Sequence, residues 1–133
     1  MKQVLVTGAN GQLGKPIKRI SPNFKGLKFV FTDVADLDIT NSEEVNTFFE
    51  SNALDYCINC AAYTEVDKAE EEAEKVYSIN ATAVKNLAEA CQKTGAVLIH
   101  ISTDFVFDGT KRTPYTEEDM PNPLSVYGKS KLK

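Results

Sequence analysis

The chain has 133 residues, 42% of them hydrophobic and 26% charged, with no Trp. That mixture describes one globular domain with a modest core and excludes disordered or collagen-like chains. Fifteen Lys and Arg against nineteen Asp and Glu leave a net charge of −4, which offers no electrostatic footprint for nucleic acid or an anionic membrane surface.

Met1-Lys2-Gln3 runs straight into Val4-Leu5-Val6 without the apolar stretch of a signal peptide, and no later run has the length of a membrane span. The expected compartment is therefore the cytoplasm. Val4 to Val6, ended by Thr7-Gly8, is too short for a helix and predicts a strand over residues 3–7. Leu13, Ile17 and Ile20 recur at helical spacing and predict the first helix, with Pro16 tolerable in its first turn. A second strand is expected over residues 28–32, with a further short one near Asp38. Thr40-Asn41-Ser42-Glu43 supplies capping-box chemistry ahead of Val45, Phe48 and Phe49.

A third strand is expected over residues 55–61. Its Cys57-Ile58-Asn59-Cys60 spacing invites a redox or zinc reading, but i and i+3 on a strand point to opposite faces, so no metal site is expected. Three Cys, an odd number, suit a reducing compartment better than a disulfide framework. Asp67-Lys68-Ala69-Glu70 reads as a helix start with Asp67 as cap, and the acidic run Glu70-Glu71-Glu72 with Glu74 as a solvated face. Ile79, Ala83, Leu87, Ala90 and Cys91 form one apolar stripe, stopped at Thr94-Gly95. The fourth strand, residues 97–102, holds the single histidine, His100, as a packed strand residue. Apolarity is continuous along these strands, which implies burial on both faces. Strands alternating with capped helices predict an α/β, doubly wound parallel sheet.

Two motifs carry chemistry. Gly8-Ala9-Asn10-Gly11-Gln12-Leu13-Gly14 lies between strand and helix, where glycines let the backbone approach a pyrophosphate at the helix start. Asp33, nineteen residues past Gly14 at the end of the second strand, stands where an acid accepts from an adenosine ribose 2′-OH, which favours NADH over NADPH. Tyr127-Gly128-Lys129-Ser130-Lys131 puts a phenol and an ammonium at i and i+4, on one helix face. Ser102-Thr103-Asp104 ends the fourth strand, at the edge where open parallel sheets bind ligands. A hydroxyl to hold a carbonyl oxygen, a phenol to protonate it and a lysine to favour phenolate make a carbonyl reductase.

These motifs, with Ala61-Ala62-Tyr63-Thr64, Val66-Asp67-Lys68-Ala69-Glu70 and Ser102-Thr103-Asp104-Phe105-Val106-Phe107-Asp108-Gly109, resemble the extended short-chain dehydrogenase/reductases. Within them the chain is most similar to the dTDP-4-dehydrorhamnose reductase family, along essentially its whole length. The resemblance implies a Rossmann-like NAD(P)-binding domain and reduction of the 4-keto group of a dTDP-6-deoxy-hexulose to dTDP-L-rhamnose, for cell-surface polysaccharide. It implies catalytic roles for Thr103, Tyr127 and Lys131, with Asn80 supporting a proton relay. Cofactor contacts would fall to Gly8, Asn10, Gly11, Gln12, Leu13, Gly14, Asp33, Asp38, Ile39, Ala61, Ala62, Tyr63, Tyr127 and Lys131, and substrate contacts to Thr64, Val66 and Asp104. The family uses both NADH and NADPH.

The family also continues beyond Lys131 into further strands and a smaller sugar-binding domain. The 133 residues alone are therefore expected to bind cofactor weakly, self-associate and turn over poorly, with a homodimer as a candidate assembly. The rival readings are another nucleotide-sugar reductase or epimerase, and a non-catalytic nucleotide-binding regulatory subunit.

Overall fold

A computed structural model describes residues 1–133. Four strands, β1 (Lys2–Thr7), β2 (Leu27–Phe31), β3 (Tyr56–Asn59) and β4 (Val97–His100), form one sheet in the order β2-β1-β3-β4. All three pairings are parallel. The chain leaves β1 for β2 on one side and crosses back to β3 on the other, so the strand order reverses at β1 and β3. In such sheets the crevice at the carboxyl ends of the two strands is the usual ligand site.

The main core lies between one sheet face and two helices, α2 (Ser42–Ser51) and α5 (Ala83–Thr94). Leu5 and Cys57 from the sheet meet Val45, Phe49, Leu87 and Cys91 there. Asn41 starts α2 by accepting from the Glu43 and Glu44 amides at 3.1 and 3.2 Å, and Gly95 ends α5 at φ +78°. The hydrogen bond that Cys57 donates to Cys91, followed by burial, pushes the Cys57 thiol pKa up. Cys57 thus pairs with the helix facing it and not with Cys60.

The other face carries only α1 (Gly14–Ile20). Val97 and Ile99 of β4 remain 53% and 44% exposed, and Ile20 and Phe24 are open as well. Burial on both faces, expected from the apolar runs, is a correction for β4: no helix of this chain lies over that half of the sheet. An apolar hollow of about 430 Å³ results, lined by Val4, Ile17, Ile58 and Ile99 among others.

Two further expectations are corrected. No strand forms near Asp38, because its carboxylate accepts from the Thr40 amide and hydroxyl at 3.0 and 2.6 Å and folds the segment into a turn. Asp67 is not a cap, since α3 (Val66–Ala69) begins one residue earlier and Asp67 sits in its first turn. After α3 the chain turns, restarts as α4 (Ala73–Tyr77), and widens into a π-helical turn over Ser78–Thr82 before α5. No helix is long and apolar enough to cross a membrane. Replacing Asn41→Ala is expected to cost about 1 kcal/mol in urea unfolding. Ser42→Ala, which removes no capping bond, should stay within about 0.5 kcal/mol.

Candidate active site

Gly8 leaves β1 at φ +60°, and a Cβ on it would lie 2.6 Å from the Ala61 nitrogen. Only glycine lets the turn adopt that conformation so close to the segment after β3. Gly14 is pressed equally tightly on the Gly8 carbonyl and Ala9, which seats α1 on the turn. Asp33 braces the same turn: its Oδ2 accepts from the Asn10 amide at 2.9 Å and its Oδ1 from the Val34 amide at 2.8 Å. A carboxylate has about four acceptor positions, so two remain for a ligand hydroxyl.

A polar line crosses the sheet at its carboxyl edge, where Thr7, Asn59 and His100 are register partners. The Thr7 hydroxyl donates to Asn59 Oδ1 at 2.7 Å, and the Ala61 amide donates to the same oxygen at 3.2 Å. Asn59 Nδ2 faces His100 Nδ1 at 3.3 Å. An amide nitrogen only donates, so the bond assigns the neutral imidazole with its proton on Nε2. Burial, followed by the nearby Lys131 charge, holds the His100 pKa below its ordinary value.

The last helix, α6 (Val126–Leu132), starts with Ser125 Oγ accepting from the Gly128 amide at 3.0 Å. It presents Tyr127 and Lys131, both buried, one turn apart. The Phe105 ring meets Tyr127 edge-on at 5.6 Å and 78°, and Gly128 lies against the Phe105 carbonyl with no space for a Cβ. Burial lowers the Lys131 pKa.

A cleft of about 300 Å³ opens at the switch point. Gly11, Gln12 and Leu13 form one wall, Ala61, Ala62 and Thr64 line the β3 side, and Tyr127 and Lys131 stand with them. A smaller pocket of about 40 Å³ gathers Gly8, Asp33, Ile39 and Ala61 behind the turn. Residues from four distant stretches of sequence thus converge on one edge of the sheet.

Other predicted residues lie around the cleft without lining it. Thr103 accepts from the Phe105 amide at 3.3 Å and caps the short turn Asp104–Val106, which leaves its hydroxyl proton to donate. Asp104 borders a neighbouring hollow with Phe105, Phe107 and Tyr115. Tyr63 and Val66 pack in the small core around Tyr127. The Tyr63 hydroxyl donates to Glu72, and that bond, followed by burial, pushes its pKa up to about 12. Asn10 is exposed, and Asp38 is occupied by Thr40.

Asn80 is buried and fully engaged. Its Oδ1 accepts from the Tyr63 amide at 2.8 Å, and its Nδ2 donates to the Tyr63 carbonyl and to Ser130 Oγ, each at 3.0 Å. Its side chain braces the segment after β3 against α6. Sequence reasoning missed Asn59, Cys60 and Ile101 in the cleft, which Ser102 also lines. Asn59 had one legible signal, a polar residue at the carboxyl end of an otherwise apolar strand.

The whole chain, residues 1–133, matches the family described as RmlD substrate binding domain. The chain belongs to this family. It is 43% identical over its full length to a dTDP-4-dehydrorhamnose reductase of Aggregatibacter actinomycetemcomitans, covering 45% of that protein. It is 41% identical to one of Mycolicibacterium smegmatis, with 98% of this chain and 39% of that protein covered. Among solved structures, a dTDP-4-dehydrorhamnose reductase of Clostridium acetobutylicum superposes at TM-score 0.94 with 51% identity, covering 98% of this chain and 46% of that one. One of Bacillus anthracis in complex with NADP superposes at 0.93 with 41% identity, covering 99% and 47%. The chain spans less than half the length of these relatives.

Asp33 sets a test. Asp33→Ala removes the brace on Asn10 and should weaken both NADH and NADPH, with a larger loss for NADH as the sign of a ribose 2′-OH donating to the carboxylate. Calorimetric titration of both cofactors checks this; equal losses would leave Asp33 as a brace of the turn alone.

Proposed function

We propose that residues 1–133 are the NAD(P)-binding domain of a cytoplasmic dTDP-4-dehydrorhamnose reductase, which reduces the 4-keto group of dTDP-4-dehydro-6-deoxy-L-mannose to give dTDP-L-rhamnose. The observation that carries this reading is the shared cleft, where Gly11, Gln12 and Leu13 face Tyr127 and Lys131. Family membership and NADP in a relative 41% identical support it.

The cradle suits a dinucleotide. Gly8 has no room for a side chain, the turn's Gly11 and Gln12 are exposed, and Asp33 retains acceptor capacity behind it. Gly8, Asn10, Gly11, Gln12, Leu13 and Gly14 would hold the pyrophosphate, Asp33, Asp38 and Ile39 the adenosine side, and Ala61, Ala62 and Tyr63 the nicotinamide side. Bound there, the nicotinamide supplies a hydride.

The chain's own residues supply the rest. Thr103 donates its free hydroxyl proton to the substrate carbonyl oxygen and polarises it. Tyr127 then gives its phenolic proton to that oxygen as negative charge develops. Lys131 stabilises the phenolate left behind, and its buried position, which disfavours the charged ammonium, strengthens that attraction by excluding water. Asn80 holds the segment after β3 in register with α6. Thr64, Val66 and Asp104 face the sugar. The carboxylate of Asp33 favours NADH without excluding NADPH. The partners of the whole protein would be the dTDP-keto-sugar and a second copy, with neither nucleic acid nor membrane.

Tyr127→Phe keeps the ring edge on Phe105 and deletes the proton donor. In the whole protein kcat should fall about a hundredfold or more, with cofactor affinity retained. Steady-state reduction of the dTDP-4-keto sugar with either nicotinamide checks this; near-unchanged turnover removes Tyr127 from the chemistry.

A further inference from the structure

Asp67-Lys68-Ala69-Glu70 and the acidic run that follows have no role in the chemistry above. Their geometry gives two of the acids specific partners. Glu72 accepts from Tyr63. Glu70 Oε1 accepts from the backbone amide of Val126 at 2.9 Å, across 56 residues of sequence. Val126 is the first residue of α6, and Tyr127 follows it.

The start of α6 is held by contacts with other segments of the chain. Its first amides have no intrahelical partner, and two are met from different sources. Ser125 Oγ takes the Gly128 amide at 3.0 Å, which closes the turn on itself. Glu70 takes the Val126 amide and is the bond that ties the start of α6 to another segment of the chain. Behind it, Ala69, Val76 and Tyr63 pack against Tyr127. At the far end Asn80 holds Ser130 Oγ, which itself donates to the Tyr127 carbonyl at 2.7 Å. An ionised acceptor is suited to the first of these ties, since carboxylate-to-amide bonds are shorter and stronger than neutral ones and the helix start favours negative charge.

We propose that Glu70 is a positioning residue for the reductase reaction: its carboxylate fixes the start of α6 and thereby the reach of the Tyr127 phenol into the cleft. The inference rests on the reductase reading, while the tether itself can be tested without turnover. Glu70→Gln keeps an oxygen acceptor for the Val126 amide; Glu70→Ala removes it.

In the whole protein, two readouts are paired for these variants. Amide hydrogen exchange at Val126 in Glu70→Ala should be about tenfold faster than in the parent, the amount a lost charge-assisted bond represents. Reduction of the dTDP-4-keto sugar by Glu70→Ala should show kcat about tenfold lower, because small displacements of a reacting group are costly. NADPH affinity should stay within about twofold, since Gly8 to Gly14 are untouched. Glu70→Gln, which keeps the oxygen acceptor and loses the charge, should recover part of both losses. Unchanged exchange at Val126 in Glu70→Ala overturns the tether. Faster exchange with unchanged kcat overturns the positioning role, as does a Glu70→Gln variant no better than Glu70→Ala. A parent protein with no activity on the keto sugar overturns the reductase reading instead, and the exchange measurement still decides the tether.

Discussion

The geometry of the site depends on how closely the chain passes itself at the carboxyl ends of β1 and β3. Gly8, at positive φ, comes so near the Ala61 nitrogen that any side chain would collide with it. Because of that approach, the turn that follows β1 and the segment that follows β3 form two sides of one cleft. The polar line from Thr7 through Asn59 to His100 fixes the same edge from inside the sheet. Asn59 is satisfied on both its oxygen and its nitrogen, and a buried amide so engaged holds its orientation, since leaving either group unpaired would cost more than the bond contributes. The cleft is thus set by packing and register before any ligand enters.

The second wall is built differently. α6 carries Tyr127 and Lys131 and is held in place by contacts with distant segments of the chain. Ser130 is tied to Asn80, Gly128 lies against the Phe105 carbonyl, and the Val126 amide bonds Glu70. The region after α3 serves as the mount for this helix, and its breaks suit that purpose. A single long helix from Val66 to Thr94 would carry Glu70, Glu72 and Asn80 along one axis. The turn after Ala69 and the π-helical turn at Ser78–Thr82 instead let these side chains reach three different partners.

Much of this was legible in the sequence, for reasons that differ between elements. The four strands and their parallel order follow from short apolar runs separated by capped helices, a pattern in which burial dominates. The Gly-rich turn, Asp33 and the pair Tyr127 and Lys131 were legible because each places a specific residue type at a fixed distance from a strand or along a helix. Properties set by long-range partners were not. Asp38 sits beside Thr40, which captures its carboxylate and turns a stretch read as strand. The acidic run reads as a solvated face until Tyr63 and Val126 are brought to it. The exposure of Val97 and Ile99 could not be read from apolarity, because the pattern of a strand does not reveal whether a helix of the same chain covers it.

The central claim is that the switch-point cleft seats a dinucleotide with its reacting ring between the end of β4 and Tyr127. A crystal structure of the whole protein with NADPH and dTDP tests it most directly. The account predicts the pyrophosphate over Gly8 to Gly14, the adenosine beside Asp33, and the nicotinamide within contact of Ala62 and the Tyr127 hydroxyl. A cofactor bound elsewhere, or one whose nicotinamide points away from Tyr127 and Lys131, would contradict it.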